Sequence, residues 1–212
     1  MNIHKMFSFL FSITGFRKKR MIRFFDVMNP DSDTKILDLG GTCNNWDFIQ
    51  TDSQITLLNL DSTHDRRYKD NIKFIQGDAL DITFTDNSFD IVFSNSVIEH
   101  VHTWENQKRF ASEALRIGKK VWIQTPAREF FLEPHYITPF IHWFPKQLSM
   151  KLIRNFTLYG LIKRPTLEDV KKMVDEIRLI SHDEMKELFP GCTIEVEKWM
   201  GFPKSYIAVK NN

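Results

Sequence analysis

The sequence predicts one α/β domain: a doubly wound, mostly parallel seven-stranded sheet with an antiparallel terminal hairpin and a helical, aromatic insertion after strand five. Three observations carry this reading. From residue 35 to 124, short apolar runs alternate with helix signals. The first run ends in a Gly40-Gly41 turn, and a carboxylate, Asp61, follows about 20 residues on, where the second run closes. The last two runs, 193–198 and 205–209, are split by Gly201 and Pro203, as in a hairpin. A chain of 212 residues with 42% hydrophobic content can fill one such core and leaves little room for a second.

Each element has its own reason. Residues 1–29 read as a basic, Phe-rich helical segment. In it Met21, Phe24, Phe25 and Met28 recur at i, i+3, i+4 and i+7, which marks one face of a helix. Asn29 and Pro30 end it, and residues 30–212 form the domain. The buried parallel strands are 36–39, 55–60, 72–75, 89–93 and 120–123, which are rich in β-branched and aromatic residues. Helical segments are expected at 46–50 and around 64–70, and a longer helix over 104–117, where Gly118 stops it. The insertion, about 126–165, opens a stretch punctuated by Pro126, Pro134, Pro139 and Pro145 and dense in aromatics and histidine. Thr166 and Ser181 then start two further helices.

Charge and cysteine usage narrow the function. The formal net charge is +2, which disfavours a general nucleic-acid binder. Residues 1–25 hold six of the 29 bases and no acid, so the remainder carries 23 bases against 27 acids. Two readings of this basic start stand open. One is a helix packed over the cleft or the sheet edge. The other is an interfacial helix making peripheral membrane contact through residues 1–25. The apolar run 6–16 is too short to span a bilayer, and its basic cluster follows it, unlike a signal peptide. The expected location is the cytoplasm, at the inner face of the membrane if the segment binds there. Cys43 and Cys192 make no metal pair, and no metal site is expected.

The glycine turn and the following acids predict a nucleoside-binding crevice. Bare glycine backbone permits close approach, and Asp61 at a strand tip can accept both ribose hydroxyls. The alternative, an ordinary turn acid, is disfavoured by the glycine loop before it and Asp78 after it. Asp78 follows Gly77, which is turn chemistry in its own right. The loop lacks the spacing that admits a pyrophosphate, which disfavours a nicotinamide dinucleotide.

From about residue 20 onward the chain resembles the class I S-adenosylmethionine-dependent methyltransferases. Ile36-Leu-Asp-Leu-Gly-Gly41 matches their glycine loop, Asp61 their ribose-binding acid, and Gly77-Asp78-Ala79 their adenine turn. Phe89-Asp-Ile-Val-Phe-Ser-Asn-Ser-Val-Ile-Glu-His100 matches their fourth strand and the loop after it. The family's loop usually alternates glycine, whereas Thr42 and Asn44 stand here at two of those positions. The resemblance implies a Rossmann-like sheet and S-adenosyl-L-methionine as cofactor, held by Asp38, Gly40, Gly41, Asp61, Asp78, Ala79, Ser94 and Asn95. His100 is the candidate base, with Glu99 to orient it or the substrate; His100 could also be purely structural. Within the insertion, Arg128, His135, Tyr136, His142 and Trp143 are candidate acceptor residues, or members of a hydrophobic cap. The segment resembles a subgroup tied to surface polysaccharide or glycolipid synthesis. The expected acceptor is therefore a small molecule or a glycan or lipid-linked molecule methylated at oxygen, and not nucleic acid. A non-catalytic relative serving as a membrane-surface or partner module is the alternative.

Overall fold

A computed structural model describes residues 15–60, 69–133 and 138–211. Asp61, His135 and Tyr136 lie outside them. The chain runs α1 (Phe16–Met28), β1 (Lys35–Leu39), α2 (Cys43–Trp46), β2 (Gln54–Asn59), β3 (Ile72–Gln76), β4 (Phe89–Asn95), α3 (Trp104–Ile117), β5 (Gly118–Pro126), β6 (Leu132–Glu133) and β7 (Thr138–Pro139). It continues through α4 (Lys146–Phe156), α5 (Leu158–Lys163), α6 (Leu167–Asp175), α7 (His182–Leu188), β8 (Thr193–Trp199) and β9 (Phe202–Lys210).

Seven strands form one sheet in the order β3-β2-β1-β4-β5-β9-β8. The first five are parallel, and β9 lies antiparallel to both β5 and β8. The order reverses between β1 and β4, so the crevice for a ligand opens at the carboxyl ends of those two strands. The doubly wound sheet and its terminal hairpin agree with the sequence reading.

Strand pleating sorts side chains between the faces. Leu37 and Leu39 point into a core with Phe110, Ala114 and Ile123 under α3 and α7. Ile36 points into the opposite core with Met21, Phe24, Met28, Trp46, Phe93 and Trp122. Phe24 meets Phe93, Trp122 and Trp46 at ring centroid distances of 4.9, 5.6 and 6.1 Å in edge-on geometry. The face predicted for residues 21–28 therefore packs on the sheet. The helical insertion has a small core of its own around Ile141, Ile153 and Val170.

The predicted helix over 104–117 is present with those bounds, capped by the Thr103 side chain. Thr166 and Ser181 each form a complete capping box. Other boundaries moved. The helical segment expected at 46–50 instead occupies Cys43–Trp46, and β5 begins at Gly118, where the helix signal ends. No helix among the described residues is long and apolar enough to cross a membrane.

Candidate active site

The glycine loop is built around Asp38. This carboxyl is fully buried, and its Oδ2 accepts the Trp46 indole N–H at 2.9 Å. Its Oδ1 is buried without a hydrogen-bond partner among the described residues. Burial pushes the group up to about 8 against the opposing pull of Trp46. Gly40 adopts φ 69°, and a Cβ there would lie 2.6 Å from Val97. A Cβ on Gly41 would lie 2.2 Å from the Asp38 carboxyl carbon. Both positions therefore exclude a side chain, one by backbone conformation and contact, the other by contact alone. The Asn59 amide clamps the loop from β2, donating to the Gly40 and Gly41 carbonyls at 3.3 Å each.

The other predicted cofactor residues fall at neighbouring strand ends. Asp78 is exposed after β3, and its Oδ1 accepts the Leu80 N–H at 2.9 Å. Ala79 is half-buried against the α3-side core. Ser94 is buried, and its hydroxyl donates to the Leu39 carbonyl at 2.9 Å, locking β4 to β1 below the loop. Asn95 ends β4, and its Oδ1 accepts from Arg20 of α1.

In the sequence that arginine is one base among the six of residues 1–25. It is 7% exposed and is the centre of a polar network. Its guanidinium donates to both Glu197 oxygens at 3.0 and 2.6 Å and to Gln124 Oε1 at 2.9 Å. Ser96 Oγ donates to the same Gln124 oxygen at 3.0 Å, and the Ser96 N–H to the Gln124 carbonyl at 3.0 Å. Ser96 has φ 58°, a left-handed conformation that is costly for serine. Arg20, Gln124 and Glu197 thus brace a strained residue at the lip of the crevice. Burial would push the Glu197 carboxyl up, but Arg20 and the Ser205 hydroxyl hold it below the usual range. The only sequence signal for this site was a basic residue at position 20, one place before the apolar series starting at Met21.

Glu99 and His100 follow in a 3-10 turn after β4. Glu99 is fully buried; its Oε2 accepts the Thr125 hydroxyl at 3.0 Å, and its carbonyl accepts the Arg178 N–H at 2.8 Å. His100 is exposed.

Beyond the carboxyl ends of β4 and β5, a cleft of about 430 Å³ opens under the helical insertion. Its walls include His102, Arg128, Glu133, His142, Ser149 and Arg178. Two predicted acceptor residues, Arg128 and His142, line it. Trp143 is exposed beside it and donates its indole N–H to the Arg128 carbonyl at 3.2 Å. His142 Nε2 also lies 2.9 Å from that carbonyl. A carbonyl only accepts, so Nε2 carries the proton and Nδ1 holds the lone pair of the neutral ring. Nδ1 is buried without a hydrogen-bond partner among the described residues. Burial lowers the basicity of the ring, with the Arg128 carbonyl opposing. Arg128 and Arg178 both reach Glu184, at 3.3 and 2.6 Å.

Residues 37–121, less than half of the chain, match the profile of the methyltransferase domain. None of the curated proteins matches the sequence. Among solved structures, the chain is similar to magnesium protoporphyrin IX methyltransferase from Synechocystis with bound SAH. That likeness has a TM-score of 0.56 at 10% identity over 91% of this chain and 81% of the other. A structure from Anabaena variabilis, described as a methyltransferase of an antibiotic biosynthesis pathway, aligns with a TM-score of 0.56 at 12% identity over 85% of this chain. One from Galdieria sulphuraria, described as a sarcosine dimethylglycine methyltransferase, gives 0.52 at 17% over 85% of this chain. The chain spans 64% and 61% of the lengths of these last two. Over residues 37–121 the chain thus carries the signature of a methyltransferase domain, mounted on the Rossmann-like sheet that the solved neighbours share.

Proposed function

We propose that the protein is an S-adenosylmethionine-dependent methyltransferase acting on an oxygen of a small-molecule, glycan or glycolipid acceptor. The observation that carries the reading is the match of residues 37–121 to the methyltransferase domain, over the strands whose ends build the crevice. The residues present fit the cofactor. The glycine backbone at 40 and 41 is bare on a loop that tolerates no side chain, and the buried Asp38 Oδ1 lacks a partner. Gly40, Gly41, Asp38, Asp78, Ala79 and Asn95 would hold it, with Asp61 on the ribose.

When bound, S-adenosylmethionine supplies a methyl carbon activated by its sulfonium. The chain's own task is then to align an acceptor oxygen, exclude water and take a proton. The cleft under the insertion is where the acceptor would sit. Arg128 would face its polar groups, and the aromatic rim at Trp143 suits a sugar ring or an apolar tail. Two histidines are candidates for the proton. His100 is exposed after β4, whereas His142 presents a buried neutral Nδ1 beside the cleft. Glu99, bonded to Thr125, positions the turn that carries His100.

Calorimetry with S-adenosylmethionine and S-adenosylhomocysteine tests the first half of this reading. Binding of both in the micromolar range is expected, and weaker binding for Asp61→Ala. No heat from either ligand would return the chain to a non-catalytic module.

A further inference from the structure

The helical insertion borders the cleft and also carries several large apolar side chains that are exposed. Trp143 is 54% exposed, Leu148 43%, Phe156 77%, Leu161 62%, Ile162 61% and Leu167 52%. The inner side of the same insertion is already satisfied. Ile141, Ile153 and Val170 are buried together, and the Ser149 hydroxyl donates to the Ile141 carbonyl at 2.8 Å. The outward side chains are therefore surplus to the packing of the cap. A soluble surface rarely gathers so many large apolar groups in one stretch without a use for them.

Up to the start of α6, where Glu168 and Asp169 are exposed, the charge over this stretch is one-sided. Residues 140–166 contain Lys146, Lys151, Arg154, Lys163 and Arg164 and no aspartate or glutamate. Lys146 pairs with Asp175, while Lys151, Arg154, Lys163 and Arg164 are exposed. Protein–protein interface cores are depleted in lysine. Exposed tryptophan, phenylalanine and leucine interleaved with lysine and arginine suit the boundary between acyl chains and anionic headgroups.

We propose that the outer face of α4 and α5, with Trp143 and Leu167 at its margins, docks on an anionic phospholipid bilayer. The apolar side chains enter the acyl boundary, and the four exposed bases meet the headgroup phosphates. Phe144, Lys146, Ser149 and Ile153 of the same cap line the cleft, so docking brings the cleft within reach of a molecule anchored in the bilayer. Vesicle binding by this face needs no cofactor, so it can be tested apart from the proposed activity.

The 212-residue chain is sedimented with vesicles of phosphatidylglycerol and phosphatidylcholine, and with vesicles of phosphatidylcholine alone. The wild type should partition onto the anionic vesicles and lose most of that binding in 0.5 M salt, roughly three times the physiological ionic strength. Phe156→Ser/Leu161→Ser/Ile162→Ser changes only exposed side chains, so its melting temperature should stay near the wild-type value while its partition coefficient falls about tenfold or more. Lys151→Glu/Arg154→Glu should weaken anionic-vesicle binding by a similar factor. Lys18→Glu/Lys19→Glu on α1, at exposed bases outside the cap, should leave most of it in place. The proposal fails if the wild type ignores anionic vesicles or if both cap variants bind like the wild type. It also fails if the triple variant's only effect is to abolish self-association in velocity sedimentation, because a second copy of the chain would then cover this face.

Discussion

Replacing Arg20 by methionine should cost the domain a sizeable part of its stability. The guanidinium makes two bonds to Glu197 at 3.0 and 2.6 Å and one to Gln124 at 2.9 Å, at 7% exposure. Methionine keeps the packing beside Met21 but takes from the Glu197 carboxylate its hydrogen-bonded cation, leaving the Ser205 hydroxyl and the nearby charge of Lys204. Breaking a buried pair from one side costs roughly 3–5 kcal/mol. The Glu197 side chain is 18% exposed, so the lower end, about 3 kcal/mol, is expected. For a domain of this size that corresponds to a fall in Tm of roughly 6–12 °C. Thermal melts of Arg20→Met, Glu197→Gln and the double variant form a cycle. The double variant should recover about half of the Arg20→Met loss, since no charge is then stranded. An Arg20→Met protein melting within about 2 °C of wild type would refute the reasoning. So would a double variant destabilised by the sum of its singles. The neighbouring Arg23–Glu195 pair, at 2.7 Å but with Arg23 57% exposed, supplies the contrast: Arg23→Ala should cost under about 1 kcal/mol.

Four further outcomes follow from the site. Gly41→Ala should reduce S-adenosylhomocysteine affinity at least about tenfold in calorimetry, because its Cβ would meet the Asp38 carboxyl. Asp38 sits near 8 when folded and close to about 4 when unfolded, so the unfolded chain sheds this proton first. Stability measured by urea titration should therefore decline from about pH 4 to about pH 8 on this account, and Asp38→Asn should flatten the decline. His142 is lowered in the folded state, so its contribution is present above the ordinary histidine range and lost as pH falls through its depressed value. If His142 takes the acceptor proton, the acid limb of kcat/KM lies below that range and vanishes in His142→Gln; a limb that vanishes instead in His100→Gln assigns the step to His100. Thr166→Ala removes a complete capping box and should cost about 1 kcal/mol in urea melts without changing cofactor affinity.

The sheet was legible because its signals are local. The runs at 36–39 and 55–60 are apolar enough to be buried on both faces, and Gly40 marks the turn by itself. The caps at Thr166 and Ser181 are likewise written in consecutive residues. The bracing network was not legible, since Arg20, Gln124 and Glu197 come from α1, β5 and β8 and meet only through tertiary packing. A buried arginine has no sequence signature that separates it from the solvated Lys18 and Lys19 beside it. The outward face of the insertion was hidden for a related reason. Its aromatics can be read as acceptor contacts or as the core of a cap, and only the fold shows that the core there is built on Ile141, Ile153 and Val170 while Trp143 and Phe156 stay exposed. Ser94 illustrates the same limit at one position: only the fold shows that its hydroxyl is bonded to the Leu39 carbonyl of the neighbouring strand.

The tie between the first helix and the last hairpin also orders events during synthesis. Arg20 and Glu197 are 177 residues apart in the chain. At about 5–20 residues per second, α1 leaves the ribosome roughly 10–35 s before its ion partner is made. Through that interval Met21, Phe24 and Met28 have strands β1 to β4 to settle on, but the arginine beside them has no counter-ion. The ionic tie across the crevice lip therefore waits for the carboxyl-terminal hairpin, and a nascent chain stalled before residue 197 should hold its glycine loop and the Ser96–Gln124 bonds in place while leaving Arg20 without its ion partner.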